Sequence, residues 1–530
     1  MFRLAPSHEI KNPAQLAGFF IAVEREGKPG AIERWRPHYC YPLLNQAIQP
    51  EMTKAHEQLV RAGIALAFLA ANSCARTPAA QEAIAITHVS VIDVASGATR
   101  ADNTVLISGN RITFVGPAAR ATIPTGARVL DGRGKFLIPG LWDMHVHAFV
   151  YLFSDFAGPL MIANGVTGAR DMGYYVDTTL RWKSSIAAGR EIGPRLVVGA
   201  RIDGAVNRAG FVAHVVTEED GVRAVDTLSR KKDGSRRADF IKPYSWIPRP
   251  AYFGIARESK KLGIPFAGHV PYSVSMIEAS DAGQQSVEHE DDLMRACSSR
   301  DSVLRAAFGD TTTLAPERQL SQMRDQARVL RATYDQAKCR TVIETLARNH
   351  TWLTPTLAVY QPYAHMFDSA STHPELAKYV PGIVQGGWVH RAAALTPADS
   401  MVVRSYFSFD RTRDLKNAGV KLLAGTDMPQ AFVYPGFSLH DELALLVQSG
   451  LTPLEALRTA TYNPAEFFGA LDSLGTVAQG KLADLVLLDA DPLADIRNTR
   501  RISTVIANGR VFDSAARAGL LAHVEAALRH

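Results

Sequence analysis

Six side chains able to bind a metal ion or move a proton punctuate this sequence: His145, His147, Lys242, His269, His289 and Asp427. Each falls at or near the end of a short apolar run of the kind that forms a β-strand. His145 and His147 are two residues apart, so on a strand both imidazoles point to one face. Neutral imidazole suits Zn, Mn, Fe or Ni, and Asp427, closing Ala424-Gly425-Thr426-Asp427, adds a carboxylate. A single histidine at a strand end is ordinarily a hydrogen-bonded core residue. Ligand types at successive strand ends point instead to a site assembled where strands converge.

Lys242, in Phe240-Ile241-Lys242-Pro243-Tyr244, is the unusual member. An ammonium facing metal ions is repelled by them, and desolvation favours its neutral amine. A neutral amine can capture carbon dioxide and become a carbamate whose anionic end bridges two cations. The alternative is a surface lysine at a strand edge. Tyr244, two residues on, projects to the same side.

The elements that must position these residues form an alternating series. Eight strand candidates are Phe136–His145, Val166–Met172, Arg195–Ala200, Phe240–Tyr244, Pro265–Pro271, Ser286–Glu290, Trp352–Leu357 and Val420–Asp427. Helical stretches separate them, among them Ala251–Leu262 and His440–Ser449. Eight βα repeats predict an α/β fold, a (β/α)8 TIM barrel, which typically needs about 250 residues. Flanking it, Ile86–Asp93, Asn103–Ser108 and Arg111–Gly116 read as half-buried antiparallel strands, with Gly109-Asn110 as a hairpin turn. Similar pieces recur at Ala483–Asp489 and Ser503–Phe512. The two ends together predict a small β-sandwich domain, residues 84–135 plus 475–515, around a barrel of residues 136–474, with a C-terminal helix at 516–530. The long insertion Asp291–Thr351 is expected to shape the cavity mouth.

Length and composition, 530 residues with 47% hydrophobic and 21% charged, describe an ordinary globular protein. The net charge of +6 is dispersed, so no nucleic-acid partner is expected. Residues 1–51 read as an extension, translated or not, and 52–83 as a signal peptide and linker: a basic segment from Met52, the apolar run Ala62–Ala71, then Asn72-Ser73-Cys74-Ala75. That apolar run is shorter than the ~20 residues a permanent span needs. Export to the periplasm, or as a lipoprotein, is the expectation. The only membrane contact foreseen is a lipid anchor at Cys74; if the signal is unused the protein is cytoplasmic. Cys40 falls in the same doubtful region. In an oxidising compartment Cys297 and Cys339 either form a disulfide or remain two buried thiols. Association into a homo-oligomer is left open.

Taken together, Ile138-Pro139-Gly140-Leu141-Trp142-Asp143-Met144-His145-Val146-His147, the inner ligand positions, Ala424-Gly425-Thr426-Asp427 and Gly480-Lys481-Leu482-Ala483-Asp484-Leu485-Val486 resemble the amidohydrolase superfamily. The resemblance covers about Ile84 to Phe512 and is strongest to the imidazolonepropionase-related branch with Xaa-Pro and Xaa-Arg/Lys dipeptidases. It implies a metal-dependent hydrolase of amide bonds, peptide or N-acyl amino acid, acting on a small-molecule or dipeptide substrate. It also implies two divalent metal ions, zinc being the expected species, and an N6-carboxylysine at Lys242. One metal would take His145, His147, Lys242 and Asp427, and the other Lys242, His269 and His289. A hydroxide between the metals would attack the carbonyl, with Asp427 as proton carrier, and Tyr244 would hold the oxyanion or a substrate carboxylate, or else pack at the barrel rim. A mononuclear deaminase or cyclic-imide hydrolase of the same superfamily, and a non-catalytic scaffold, are the competing expectations. The sequence departs from those dipeptidases in two places. The fifth strand reads Gly268-His269-Val270-Pro271, and the loop Arg201–Thr217 lacks a Gly-Gly-His pattern, His214 there reading as exposed.

Overall fold

The computed structural model describes residues 83–149, 152–204, 213–230, 234–308, 328–367, 373–393, 396, 397, 400, 403, 404 and 410–529. The extension, almost all of the signal segment, Cys40 and Cys74 lie outside them. The fold is mixed α/β. Its strands, in chain order, are β1 (Ile84–Ile92), β2 (Thr99–Ser108), β3 (Arg111–Pro117), β4 (Arg128–Asp131), β5 (Phe136–Pro139), β6 (Leu141–Val146), β7 (Val166–Asp171) and β8 (Arg195–Asp203). They continue as β9 (Ala213–His214), β10 (Phe240–Pro243), β11 (Ser286–Glu288), β12 (Trp352–Thr354), β13 (Leu485–Leu488), β14 (Ile502–Ala507) and β15 (Arg510–Phe512).

An eight-stranded sheet joins the two ends of the described chain in the order β15-β14-β13-β5-β1-β2-β3, with β4 also on β1. The sequence predicts half-buried antiparallel strands here, and the structure differs. β1 pairs antiparallel with β2 but parallel with β4 and β5, and it is buried along most of its length. Side-chain alternation explains why. Leu137, Leu485 and Leu487 enter one apolar core with Ile86 and Val91. Their neighbours Ile138, Val486 and Leu488 point the other way, into the large core that holds the inner strands. A sheet covered on both faces loses its polar alternation.

The first strand candidate, Phe136–His145, is two strands. β5 belongs to the composite sheet and β6 to the inner set, and the chain changes partner at Gly140. The Gly140 N–H donates to Asp484 O, whereas that of Leu141 donates to Gly165 O. A Cβ on Gly140 would lie 2.0 Å from Thr167 Oγ1, so only glycine fits where the two sheets meet.

From β6 onward the inner strands pair in parallel: β6 with β7, β7 with β8, β8 with β10. Ile241 then bridges Phe266, Gly268 bridges Val287, and β11 pairs with β12. Leu353 bridges Leu422, and Val146 bridges Met428, which returns the succession to β6. The fifth and eighth strand candidates are thus present as bridged extended segments. Helices Ser154–Ala163, Val176–Ala187, Glu218–Ser229, Arg249–Leu262 and Phe437–Gln448 lie between or after these strands. The helix Arg249–Leu262 stops at Gly263, whose φ of 61° gives the left-handed cap that glycine favours.

In the insertion, helices Glu290–Ala296 and Gln336–Arg348 are joined by a Cys297–Cys339 disulfide with a Cα–Cα separation of 4.2 Å. This resolves the alternative left open by the sequence.

Close packing between strands fixes where His145 sits. A Cβ on Gly425 would come within 2.7 Å of His145 Cβ and 2.6 Å of Thr354 Cγ2. Gly425→Ala is therefore expected to force these strands apart and cost about 1–3 kcal/mol. A denaturant midpoint equal to that of the parent would refute this account of the contact.

Candidate metal centre

The strand ends converge as the sequence predicts for one group. His145, His147 and Asp427 place their ligand atoms within 4.8 Å of one another, and all three residues are buried. His145 Nε2 and His147 Nε2 lie 3.3 and 3.4 Å from Asp427 Oδ1. Two ligands each ~2.1 Å from a tetrahedral ion would sit about 3.4 Å apart, so these spacings suit a shared cation. The histidine rings then form a chain: His145 to His289 at 4.6 Å between centroids, His289 to His269 at 4.7 Å, and His269 to Tyr244 at 4.4 Å. Lys242 Nζ stands 5.3 Å from the Tyr244 ring. His214, by contrast, is exposed.

Hydrogen bonds set the tautomers. His147 Nδ1 lies 2.9 Å from Gly173 O, a carbonyl that can only accept, so Nδ1 carries the proton. His145 Nδ1 lies 2.9 Å from Glu288 Oε2, again an acceptor. The Thr356 hydroxyl donates to Pro355 O at 2.8 Å, leaving its oxygen to accept from His289 Nδ1 at 2.7 Å. In each ring Nε2 is left with a lone pair, the form a metal ligand needs. Burial pushes His147 down to about 3 and His289 down to about 4, and holds His269 well below its ordinary value. All three are neutral at working pH. Burial raises the Asp427 carboxyl, but the surrounding imidazoles outweigh it and hold the group below the usual carboxylate range. Tyr244, pushed by burial to about 12, stays a phenol.

Whether these residues fit a metal can be tested on their unsatisfied atoms. Lys242 is fully buried, and its Nζ has no hydrogen-bond partner among the described residues. His145 Nε2 is likewise buried and unpartnered. Burial lowers the Lys242 amine to about 8, and the guanidinium groups of Arg201 and Arg170 act in the same direction. Buried polar atoms without partners are costly, and a cation together with a carboxylated amine would satisfy both. The donor set fits.

Several functional residues escaped the sequence analysis. Arg170 and Glu288 are wholly buried and bound to each other, Arg170 Nη2 reaching both Glu288 oxygens at 2.8 Å. Arg170 also donates to Met144 O and Ser286 Oγ. Asp143 accepts from the Thr426 N–H at 3.0 Å and the Thr426 hydroxyl at 2.7 Å, tying β6 to the segment that ends in Asp427. His289 and Asp427 have φ of 70° and 55°, outside the ordinary range for non-glycine residues. The turn at His289 lets consecutive residues, Glu288 and His289, both touch His145. Strict alternation would have sent one of them away. The visible signal was an acid within an apolar run beside each histidine motif, in Trp142-Asp143-Met144-His145 and Val287-Glu288-His289.

The residues following the eighth strand also differ from expectation. The sequence reading makes His440-Asp441-Glu442 open a helix. The helix instead begins at Phe437, and His440 is buried between Thr499 Oγ1 and Asn164 O. His373 pairs with Glu375 and Asp441, and His390 is exposed.

The chain matches the amidohydrolase family over residues 136–512. It belongs to that family. Among solved structures it is similar to a putative prolidase from Bifidobacterium longum, at 22% identity and a TM-score of 0.58, covering 84% of this chain and 99% of that one. A bottromycin amidohydrolase is similar at 21% identity and a TM-score of 0.62, covering 84% and 90%. An adenine deaminase from Rubrobacter xylanophilus is 22% identical over 81% of this chain and 56% of its own length. Across five curated relatives the chain spans between 9% and 56% of their own lengths.

Glu442 supplies a pH test of this packing. It is fully buried, its Oε2 accepts from the Ala358 N–H at 2.7 Å, and burial pushes its carboxyl up to about 8. Its folded value exceeds the unfolded one, so the stability it contributes is complete below about pH 4.5 and falls away as pH rises towards 8. Glu442→Gln removes that loss. The variant should therefore gain on the parent with rising pH, by on the order of a few kcal/mol at pH 8.5 relative to pH 4.5. A stability difference independent of pH would show that Glu442 is ionised in the folded protein.

Proposed function

We propose that this protein is a metal-dependent hydrolase that cleaves an amide C–N bond at the mouth of a (β/α)8 barrel, using two divalent cations and a carboxylated Lys242. The observation that carries the reading is the combination of a buried, unpartnered Lys242 amine with three histidines, His145, His147 and His289, that each present a lone pair, and an ionised Asp427. The parallel pairing that returns to β6 supports the barrel.

Divalent cations held by these residues would supply Lewis acidity and lower the pKa of water. The protein's own groups do the rest. The Lys242 amine adds to carbon dioxide and releases a proton, becoming an anionic carbamate. Asp427 takes the proton of the attacking water and returns it to the leaving nitrogen. Tyr244, kept neutral, donates to the oxygen on which charge develops. The His145, His147 and His289 protons stay on Nδ1, held by Glu288, Gly173 and Thr356. Dipeptides and N-acyl amino acids are the substrates this reading favours. Export belongs to the same proposal, since a Cys297–Cys339 disulfide suits an oxidising compartment. No described helix is long and apolar enough to cross a membrane.

The second reading, a mononuclear deaminase, draws on the adenine deaminase likeness. Metal analysis combined with Lys242→Ala separates the two. The binuclear hydrolase should bind two metals per chain, lose about 100-fold or more of its activity in Lys242→Ala, and recover part of it with short carboxylic acids plus metal. One metal per chain and an active Lys242→Ala variant would favour the deaminase.

A further inference from the structure

We infer that Arg201, with Tyr244 and Tyr174, forms an anion subsite that binds a carboxylate of the substrate, so that the substrates are amides bearing a free carboxylate. The inference rests on the hydrolase reading only for the word substrate. In the parallel register of β8 and β10, Arg201 is the direct partner of Lys242. Neighbouring side chains in such a ladder share a face, which sets the guanidinium beside the proposed metal centre.

Arg201 is only 7% exposed, and its Nε is buried without a hydrogen-bond partner. Among the described residues its side chain joins no carboxylate. Two other buried arginines are satisfied: Arg170 by Glu288 and Arg295 by Asp292. An arginine cannot shed its proton, so a buried one lacking an anion is costly. Its Cζ lies 3.8 Å from the Tyr244 ring centroid and 5.1 Å from that of Tyr174. Aromatic rings cover the face of a guanidinium and leave its in-plane N–H groups free to bind. These two rings also flank the metal centre, Tyr174 meeting His147 at 5.5 Å and Tyr244 meeting His269 at 4.4 Å. A single guanidinium with a planar fork matches a monoanionic carboxylate.

The test is direct binding. The free amino acids, as products, and their carboxamides are titrated calorimetrically against the full metal-loaded protein, then against Arg201→Met and Arg201→Lys. At least one amino acid should bind about 10–100-fold more tightly than its amide. Arg201→Met should abolish the difference, and Arg201→Lys, which keeps the charge but not the fork, should retain part of it. In turnover, Arg201→Met should raise KM for a carboxylate substrate by a larger factor than it lowers kcat. Should Arg201→Met fail to fold by circular dichroism, the parent's acid–amide contrast and Arg201→Lys decide. Equal binding of acid and amide in every pair, no binding of any acid, or tighter Arg201-dependent binding of inorganic phosphate would overturn the assignment. Discrimination without hydrolysis of any dipeptide or N-acyl amino acid would sink the hydrolase reading and leave the subsite standing.

Discussion

The buried contact of Arg170 with Glu288 holds the centre together. All three members of the chain Arg170–Glu288–His145 are completely removed from solvent. Glu288 would be pushed up by burial, yet the guanidinium and the His145 ring overcome this and hold it far below its ordinary value. The ionised carboxylate then fixes the proton on His145 Nδ1, which frees Nε2 for the site. Arg170 also ties β7 to the Met144 carbonyl on β6, to Ser286 on β11 and, at 3.1 Å, to Thr354 on β12. One charge pair therefore sets a tautomer and joins four strands. Removing a single partner would strand a buried charge, which typically costs 3–5 kcal/mol.

The ligand residues themselves are held in backbone conformations that their own preferences do not select. His289 and Asp427 both lie in the left-handed region, at a cost on the order of 1–3 kcal/mol each. Hydrogen bonds from the neighbouring strands impose the geometry. The His289 N–H donates to Thr354 O at 2.9 Å, and that of Asp427 donates to His145 O at 2.7 Å. The strain sits where two strand ends stop pairing and turn towards the site, so packing around the strands stabilises a conformation that serves the centre.

Much of this was legible in the sequence because periodicity and residue type survive folding. The His145–His147 spacing, the strand ends at Lys242 and Asp427, and the inner α/β alternation all follow from local rules. What stayed hidden depended on partners remote in sequence. Arg170 reads as an ordinary strand residue until Glu288, 118 positions away, is placed against it. The mixed pairing of β1 arises because β5 and β13, from opposite ends of the family region, meet beside it. The break at Gly140 is invisible without Thr167, since the pattern on either side is continuously apolar. Glu442 looked like a helix-start carboxylate because nothing local reveals that the helix begins five residues earlier and buries it.

The distribution of charge explains why Lys242 and Arg201 stand together. Arg170 and Glu288 neutralise each other, so the support beneath the centre adds no net charge to it. Among the described residues, Asp427 is the carboxylate grouped with His145 and His147, while the paired residues Lys242 and Arg201 are both basic. A strongly positive site without further anions would repel the metals that the four histidines are proposed to bind. Under the proposed reading the imbalance is corrected twice. Carbon dioxide converts the Lys242 amine into an anion where the cations sit, and the substrate brings a carboxylate where the guanidinium sits. The two basic residues occupy paired positions in one ladder, but they meet different fates because their chemistry differs. A lysine lowered to about 8 can lose its proton and react, whereas a guanidinium keeps its charge and must be met by a counter-ion.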